Sequence, residues 1–452
     1  MAKPADSLAS FTNRLVALET RVNALETKDA ELAAAVSNLT GRVAALEAGD
    51  YGARLDTLRM EVDDLMARVY SSAPELIPPS PDPLPEPTYG CRKPTTTSTL
   101  TNHIIYGGTH DVVYSGVRFE GNADVSGDET VAMWLGRSGT PDADIYNVVF
   151  EDCVFATCSY ASSGPANAFH MWNTSATGKT IHDVTFTRCW FEPQTRMQVE
   201  LNGRGGWWHD FTFQDCTFEG SCAQQFSCDM APTNATPTSP YGVTVGGVVR
   251  GVEGLVIDGC LFEGSGATVE GIEPSSWLMG LEFGCVYPYA SDTDVGRSVF
   301  SNNKVGRCGS SWLNFSYTTK GCHYMTFQDN VFDFSYNDHG ADAHNSSPWS
   351  SAANLNYCTF DGNTWTLGTA NNQPYYMVSG GTTAQGGHDT FVGETWTKPS
   401  GTIGSWVDFP FTDSDYTDCV FHLPKAVAFA ASATGSGNTF DNGYTGGDGS
   451  ME

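Results

Sequence analysis

Asp183-Val-Thr-Phe-Thr-Arg-Cys-Trp-Phe191 is the clearest copy of a phrase that fills the chain from about residue 91 onward. Asn147-Val-Val-Phe-Glu-Asp-Cys-Val-Phe155, Asp210-Phe-Thr-Phe-Gln-Asp-Cys-Thr-Phe218 and Gly254-Leu-Val-Ile-Asp-Gly-Cys-Leu-Phe262 repeat it. So do Tyr324-Met-Thr-Phe-Gln-Asp-Asn-Val-Phe332 and Tyr357-Cys-Thr-Phe-Asp-Gly-Asn-Thr-Trp365. Looser copies cover Asp111 to Phe119, Arg297 to Val305, His388 to Trp396 and Tyr416 to Phe421. The common form is apolar-x-Phe-x-x-(Cys/Asn)-x-Phe. The leading aromatic of each copy, replaced by Ile at 257, falls at 114, 150, 186, 213, 257, 300, 327, 360, 391 and 416, with gaps of 25 to 44 residues. A fixed phrase with variable spacers means stacked coils that carry loops of different length on the same corners. Leucine-rich repeats and propellers fit less well, because the leucine phrase is missing and each repeat holds about one hairpin-like segment.

The phrase resembles the right-handed parallel β-helix of pectate-lyase-type proteins and of viral tailspikes. That resemblance implies a ladder of stacked side chains at the inter-strand turn, and the ladder position reads Cys153, Cys189, Cys216, Cys260, Asn303, Asn330, Asn363. Side chains one rung apart sit about 4.8 Å from one another. At that spacing Asn forms a hydrogen-bonded ladder and Cys packs as a small apolar residue. The four cysteines are therefore expected to be structural.

The 13 cysteines, an odd count without a secretion signal, argue against a disulfide framework, and the absence of a CxxC pair argues against a structural zinc site. Met1 to Ser10 lacks the apolar core of a signal peptide, which points to synthesis and folding in a cytoplasm. No apolar run is long enough to span a membrane. A formal charge of -29 argues against nucleic-acid binding, since phosphate contacts need a basic footprint.

Ahead of the repeats, Leu8, Phe11, Leu15, Leu18, Val22 and Leu25, then Leu32, Val36, Leu39, Val43 and Leu46, recur at alternating steps of three and four. This predicts a coiled coil over residues 1–72, with a break near 49–52 where the register changes. Three in-phase segments repeat the pattern Arg-apolar-x-x-apolar-Glu: Arg14-Leu15 to Leu18-Glu19, Arg21-Val22 to Leu25-Glu26, and Arg42-Val43 to Leu46-Glu47. They resemble the trimer-specifying motif in which an arginine stem covers the seam and its head meets a carboxylate of the next helix. Prolines at 74, 78, 79, 81, 83, 85 and 87 make 73–90 an extended linker. Residues 91–452 then form the body and a short Gly-rich tail. The expected fold is mostly β: a single-stranded parallel β-helix behind a trimeric α-helical coiled coil.

Each phrase is followed by a second alternating strand, as in Phe169-His-Met-Trp172, Met197-Gln-Val-Glu-Leu201, Ser227-Cys-Asp-Met230, Leu278 to Phe283 and Trp312 to Phe315. Alternation with Met171, Leu201, Met230, Phe283 and Phe315 inward makes the outward column His170, Glu200, Asp229, Glu282, Asn314. Carboxylates one or two rungs apart, about 5 or 10 Å, match the separations of retaining and inverting glycoside hydrolases. Glu200, Asp229 and Glu282 are thus candidate catalytic groups, with His170, Arg196 and Arg204 able to tune them. Trp172, Trp207, Trp208, Trp277 and Trp312, with His170 and Asn314, are candidate glycan contacts. The same column also fits a solvated face, or one neutralised by arginine or calcium, and the tryptophans fit an inter-protomer contact. Asp338, His339, Asp342 and His344 match no strong metal motif and read as a polar loop, so no metal site and no cofactor are expected. The tailspike resemblance implies a homotrimeric virion tail fibre that is assembled in host cytoplasm, joined to other tail-tip or baseplate proteins and directed at a host-surface glycan. Polysaccharide cleavage and a purely structural fibre are the alternatives.

Overall fold

The computed structural model describes residues 88–121, 131–136, 143–158, 167–172, 180–194, 196–202, 207–221, 224–229, 243–245, 248–250, 252–264, 281–283, 298–307, 313–314, 322–333, 349–350, 355–367, 375–376, 385–398 and 407–452. The heptads, with Arg14 to Glu47, and the linker prolines lie outside the described residues. Every element among the described residues is a strand. They assemble into parallel sheets of twelve, eleven and eight strands, two further parallel sheets of four, and one antiparallel pair, Val243–Val245 with Val248–Arg250. The body is a parallel β-helix. One coil runs from Trp190–Phe191 in the twelve-stranded sheet to Met197–Asn202 in the eight-stranded sheet. It continues through Trp207–Gln214 in the eleven-stranded sheet and returns to the first at Thr217–Phe218. Each strand pairs with its counterpart one coil away, as in Trp190 with Thr217, Glu200 with Ser227 and Phe186 with Phe213.

The ten aromatic or apolar positions that lead the phrase share one inward column, from Tyr114 through Phe150, Phe186, Phe213 and Ile257 to Tyr416. Their rings stack with centroids 4.7 Å apart for Phe150–Phe186, 4.5 Å for Phe186–Phe213 and 4.6 Å for Phe391–Tyr416. The closing residues of the phrase form a second column, with Phe191–Phe218 at 4.5 Å and Trp365–Trp396 at 4.6 Å. The rung spacing of a sheet and the contact distance of two rings nearly coincide. A repeating aromatic is therefore satisfied at every step, each pair adding roughly 0.5–1.5 kcal/mol to simple burial.

Two corners turn the chain, and both do so with left-handed residues. At the first, Asp111, Asn147, Asp183 and Asp210 lie near the start of the early strands of the eleven-stranded sheet, and Gly254, Tyr324, Tyr357, His388 and Asp413 stand just before its later strands, all with φ between 51° and 64°. After that sheet come Gly116, Asp152, Arg188, Asp215, Gly259, Asn302, Asp329, Gly362, Gly393, Asp418 and Gly437, with φ between 50° and 70°. Asp, Asn and Gly are the residues that tolerate this region, which explains why the phrase opens on Asp or Asn and carries Asp or Gly in its middle. Immediately after the second corner sits the ladder. The side chain of Cys153, Cys189, Cys216 or Cys260 donates to the carbonyl of the preceding coil's leading aromatic at 3.4–3.6 Å. The amides of Asn303, Asn330 and Asn363 do the same at 2.8–2.9 Å. The ladder therefore has the composition and the place expected of it.

Residues 90–97 form a strap along the outside of the coils. Gly90 N donates to Gly259 O, Cys91 N to Thr217 Oγ1, and Thr97 N to Gly116 O, at 2.6, 2.9 and 2.8 Å. A Cβ at Gly90 would lie 2.3 Å from Thr217 Oγ1, so only glycine lets the strap approach this closely. The Gly-rich tail has a structural task at the other end. Met451 is fully buried beneath the last coil, and its carbonyl accepts from Asn438 Nδ2 at 2.6 Å. A solenoid must cover its terminal apolar rung, and the tail does so here.

Candidate functional site

On the eight-stranded sheet Trp134, His170, Glu200, Ser227, Glu282, Asn314 and Ser350 share one register column. Asp229 does not belong to it. The strand Gln224–Asp229 sets Ser227 opposite Glu200, and Asp229 opposite Asn202, two residues further along. Cys228, rather than Met230, is the inward partner of Leu201 and Phe283. The strand is entered two residues earlier than its apolar pattern suggests, because buried Gln225 anchors its start. Gln225 Nε2 donates to Phe218 O at 2.9 Å and its Oε1 accepts from Gly264 N at 3.0 Å. Gln198, one rung away, likewise donates to Phe191 O at 2.9 Å. Both glutamines fix where the eight-stranded sheet begins, and hence where Glu200 stands.

Glu200 is 8% exposed and lies between two cationic or potentially cationic groups. His170 Nε2 is 3.7 Å and Arg196 Nη1 is 3.6 Å from its Oε2. His170 is fully buried and stacks on Trp134, ring centroids 4.5 Å apart. Arg196 is the solvent-facing member, its side chain 40% exposed. The cluster thus runs from a buried indole through an imidazole to a carboxylate, with a guanidinium at the rim. Such a rim offers both an acceptor and a fork of donors to a hydroxyl-rich ligand. Neighbouring Glu192 shows by contrast what a purely structural carboxylate looks like. It accepts from Arg118 Nη1 and Nη2 at 2.8 and 3.1 Å, from Lys93 at 2.8 Å and from Thr157 N at 3.0 Å. Burial would raise its pKa, but these partners together hold it down at about 2.

The other sequence candidates scatter. Trp208 is fully buried in the core and packs edge-on against Phe211 at 5.0 Å, because alternation in Trp207–Gln214 turns it inward. Buried in this way, it presents no ring face to solvent. His170 is also sealed from solvent, behind Glu200. Trp207 is half-buried and stacks on His209 at 4.0 Å, on a different sheet from Glu200. Trp172, Glu282 and Asn314 lie on strands of the eight-stranded sheet. Trp277, Trp312, Arg204 and the loop of Asp338 to His344 lie outside the described residues.

Two outer aromatic columns escaped the sequence reading. His110, Tyr146, His182 and His209 stack at 4.9, 5.4 and 4.9 Å, one residue before the left-handed corner. The following aspartates take the Nδ1 of His110, His182 and His209 at 2.8, 2.7 and 2.6 Å. Further along, the aromatics move onto the corner itself: Tyr324–Tyr357 at 5.0 Å and Tyr357–His388 at 4.8 Å. The recurrent dipeptide His-Asp was the available signal for the first column.

No family model and no curated protein matches the sequence. Two solved structures of the Streptococcus pneumoniae surface adhesin PfbA are similar to the chain at 11% identity. One has a TM-score of 0.48 and covers 77% of this chain and 88% of that chain. The other has a TM-score of 0.44 and covers 77% and 81%. A likeness at this level says nothing of what this chain binds.

Proposed function

We propose that this chain is a homotrimeric attachment fibre of a virion tail, in which a three-stranded coil over residues 1–72 precedes a right-handed β-helix that recognises a host-surface glycan. The observation that carries the reading is the Glu200 cluster. A carboxylate with a rim guanidinium, seated on an aromatic floor, is placed on the outer column of a rigid sheet. The expected heptads add the means to present three such sites at once, and trimerisation raises the avidity of individually weak sugar contacts. The coil would join the tail-tip or baseplate proteins, in a particle assembled in host cytoplasm.

The test uses the full chain. Its mass in solution is measured by sedimentation, and its retention is scored on a panel of immobilised bacterial envelope polysaccharides. A trimer retained on at least one polysaccharide, with retention weakened about tenfold or more by Glu200→Gln, supports the reading. A monomer, or retention indifferent to Glu200→Gln, overturns it.

One observation favours cleavage as a second reading. Glu200 and Glu282 share one register column two rungs apart, and two rungs span about 10 Å, close to the spacing an inverting carboxylate pair needs. Reducing ends released by the wild type, and abolished by either Glu200→Gln or Glu282→Gln, would make the fibre a depolymerase.

A further inference from the structure

We infer that the corner formed by Tyr324, Tyr357 and His388 is a second ligand site, which takes an uncharged pyranose polymer laid along the axis of the coils. The proposal rests on the reading that the chain engages glycans, but it concerns another face, other residues and another class of sugar.

Backbone geometry points to it first. All three residues hold left-handed φ values, 57°, 57° and 60°. The same corner in the earlier coils carries Asp111, Asn147, Asp183, Asp210 and Gly254, which suit that region. Bulky side chains there are strained, and strained residues cluster at ligand sites. The fold itself does not ask for rings at this corner. The backbone N–H groups of Tyr324, Tyr357 and His388 are bonded to Asn356 O, Gly387 O and Thr412 O whatever the side chain. The core is filled by the adjacent column of Met325 and Cys358.

Exposure and repeat then define the ligand. Tyr357 is 46% exposed, among the most exposed large hydrophobic residues described. The rings are nearly parallel, 7° and 11° between planes, and step along the axis by 5.0 and 4.8 Å. They offer a row of edges and two phenolic hydroxyls. Beyond His388 the next corner residue is the short Asp413, which leaves that end of the stack uncapped by a ring. Two residues further along each strand, Thr326, Thr359 and Thr390 stand in register and half-buried, a parallel row of hydroxyls. Two rows, one aromatic and one hydroxyl, repeating at the same step, suit a polymer that repeats as well. A globular partner would gain nothing from the periodicity. The charged residues flanking the rows are acidic, Asp361, Asp413 and Asp415, so an anionic polysaccharide is disfavoured.

The experiment is calorimetry on the full chain with neutral hexasaccharides of β-1,4-glucose, α-1,4-glucose and β-1,4-N-acetylglucosamine, and with polysialic acid as the anionic probe. Tyr357→Asn is the variant, because asparagine accepts the left-handed backbone. At least one neutral hexasaccharide is expected to bind, and Tyr357→Asn to weaken it about tenfold or more. The same variant is expected to leave the thermal midpoint within about 2 °C, because relieved backbone strain offsets the two lost ring contacts. Unchanged affinity in Tyr357→Asn, preference for polysialic acid, or no binding of any neutral hexasaccharide overturns the site. A fall of more than about 5 °C overturns it too, since the stack is then structural. Retention on envelope polysaccharide through Glu200 is scored separately, so the first reading survives or fails on its own.

Discussion

The two halves of the ladder perform one task with different chemistry. From Cys153 to Cys260 the turn is held by thiols, whose S–H donates weakly to a carbonyl. Cys216 N in turn finds only a sulfur, Cys260 Sγ, at 3.3 Å. From Asn303 to Asn363 each amide makes a closed set. Cys260 N, Asn303 N and Asn330 N donate to the Oδ1 of the next asparagine at 2.8, 2.9 and 2.9 Å. The Nδ2 groups of Asn303 and Asn330 also reach forward to the next Oδ1 at 3.1 and 2.8 Å. The thiol half is an apolar seam that tolerates its polar neighbours. The amide half is a polar chain that requires every member, because a half-satisfied buried network is worse than none. Geometry alone therefore does not set the energetic importance of a repeat position.

The largest expected consequence is at the centre of the amide half. Asn330→Ala strips the acceptor from Asn303 N and Nδ2 and the donor from Phe300 O. Two or more polar groups stay buried without partners, at about 1–3 kcal/mol each. A loss of about 3–5 kcal/mol in urea unfolding is expected, with hydrogen exchange accelerated in the flanking coils before the rest. A loss below about 1 kcal/mol would break the distinction between the halves.

The amide ladder ends on a residue that sharpens the comparison through pH. Glu394 Oε1 accepts from Asn363 N and Nδ2 at 2.8 Å each, and Oε2 accepts from Trp365 Nε1 at 2.5 Å. Burial pushes its pKa up to about 8 in spite of these donors. On the same coil burial also pushes Asp389 up to about 8, and its Oδ2 has no hydrogen-bond partner. Both folded pKa values lie above the unfolded ones, near about 4. The folded state thus holds protons that the unfolded chain releases. This contribution to stability is greatest below about pH 4, declines as pH rises, and levels off above about pH 8. The slope is up to about 1.4 kcal/mol per pH unit for each group. Protection factors in residues 385–398, with the intrinsic rise of amide exchange with pH divided out, should fall between pH 6 and 8, while those in the coils of Cys189 and Cys216 stay level. Glu394→Gln should reduce that slope by about half. It should also lower stability at pH 5, because the new amide meets the Trp365 N–H donor to donor. Equal pH dependence in both halves would remove Glu394 as the cause.

The phrase made the coils, both inward aromatic columns and the ladder legible, because each is a side chain repeated at a fixed position from a turn. Even Glu394 stood in plain view, at the ladder place of His388 to Trp396. What stayed hidden depends on where a strand begins after a long spacer. The apolar pattern of Ser227 to Met230 fits two alignments, and Gln225, bonded to a neighbouring strand's carbonyl, selects the one that sends Asp229 out of the Glu200 column. Trp208 was misplaced for the same reason: adjacent tryptophans at a strand start give no parity. The strap and the tail cap carry no periodicity, so only tertiary contacts place Gly90 and Met451.

The smallest effect is expected where the sequence repeats most faithfully. Cys216→Ala removes one sulfur from a column in which Cys189 and Cys216 are fully buried, with burial raising both thiols well above their ordinary pKa. The carbonyls of Phe186 and Gln214 lose a weak donor at 3.6 and 3.4 Å, and the column gains a void of one atom. Together these amount to about 1–1.5 kcal/mol, at most about half of the Asn330→Ala loss. The same thiols should resist alkylation in the folded protein, since neither access nor thiolate is provided. If Cys216→Ala instead unfolds the protein as readily as Asn330→Ala, then sulfur stacking rather than amide bonding sets the strength of the turn. The amide half would in that case be a local variant of the thiol half, and its hydrogen bonds would merely offset the cost of burying amides.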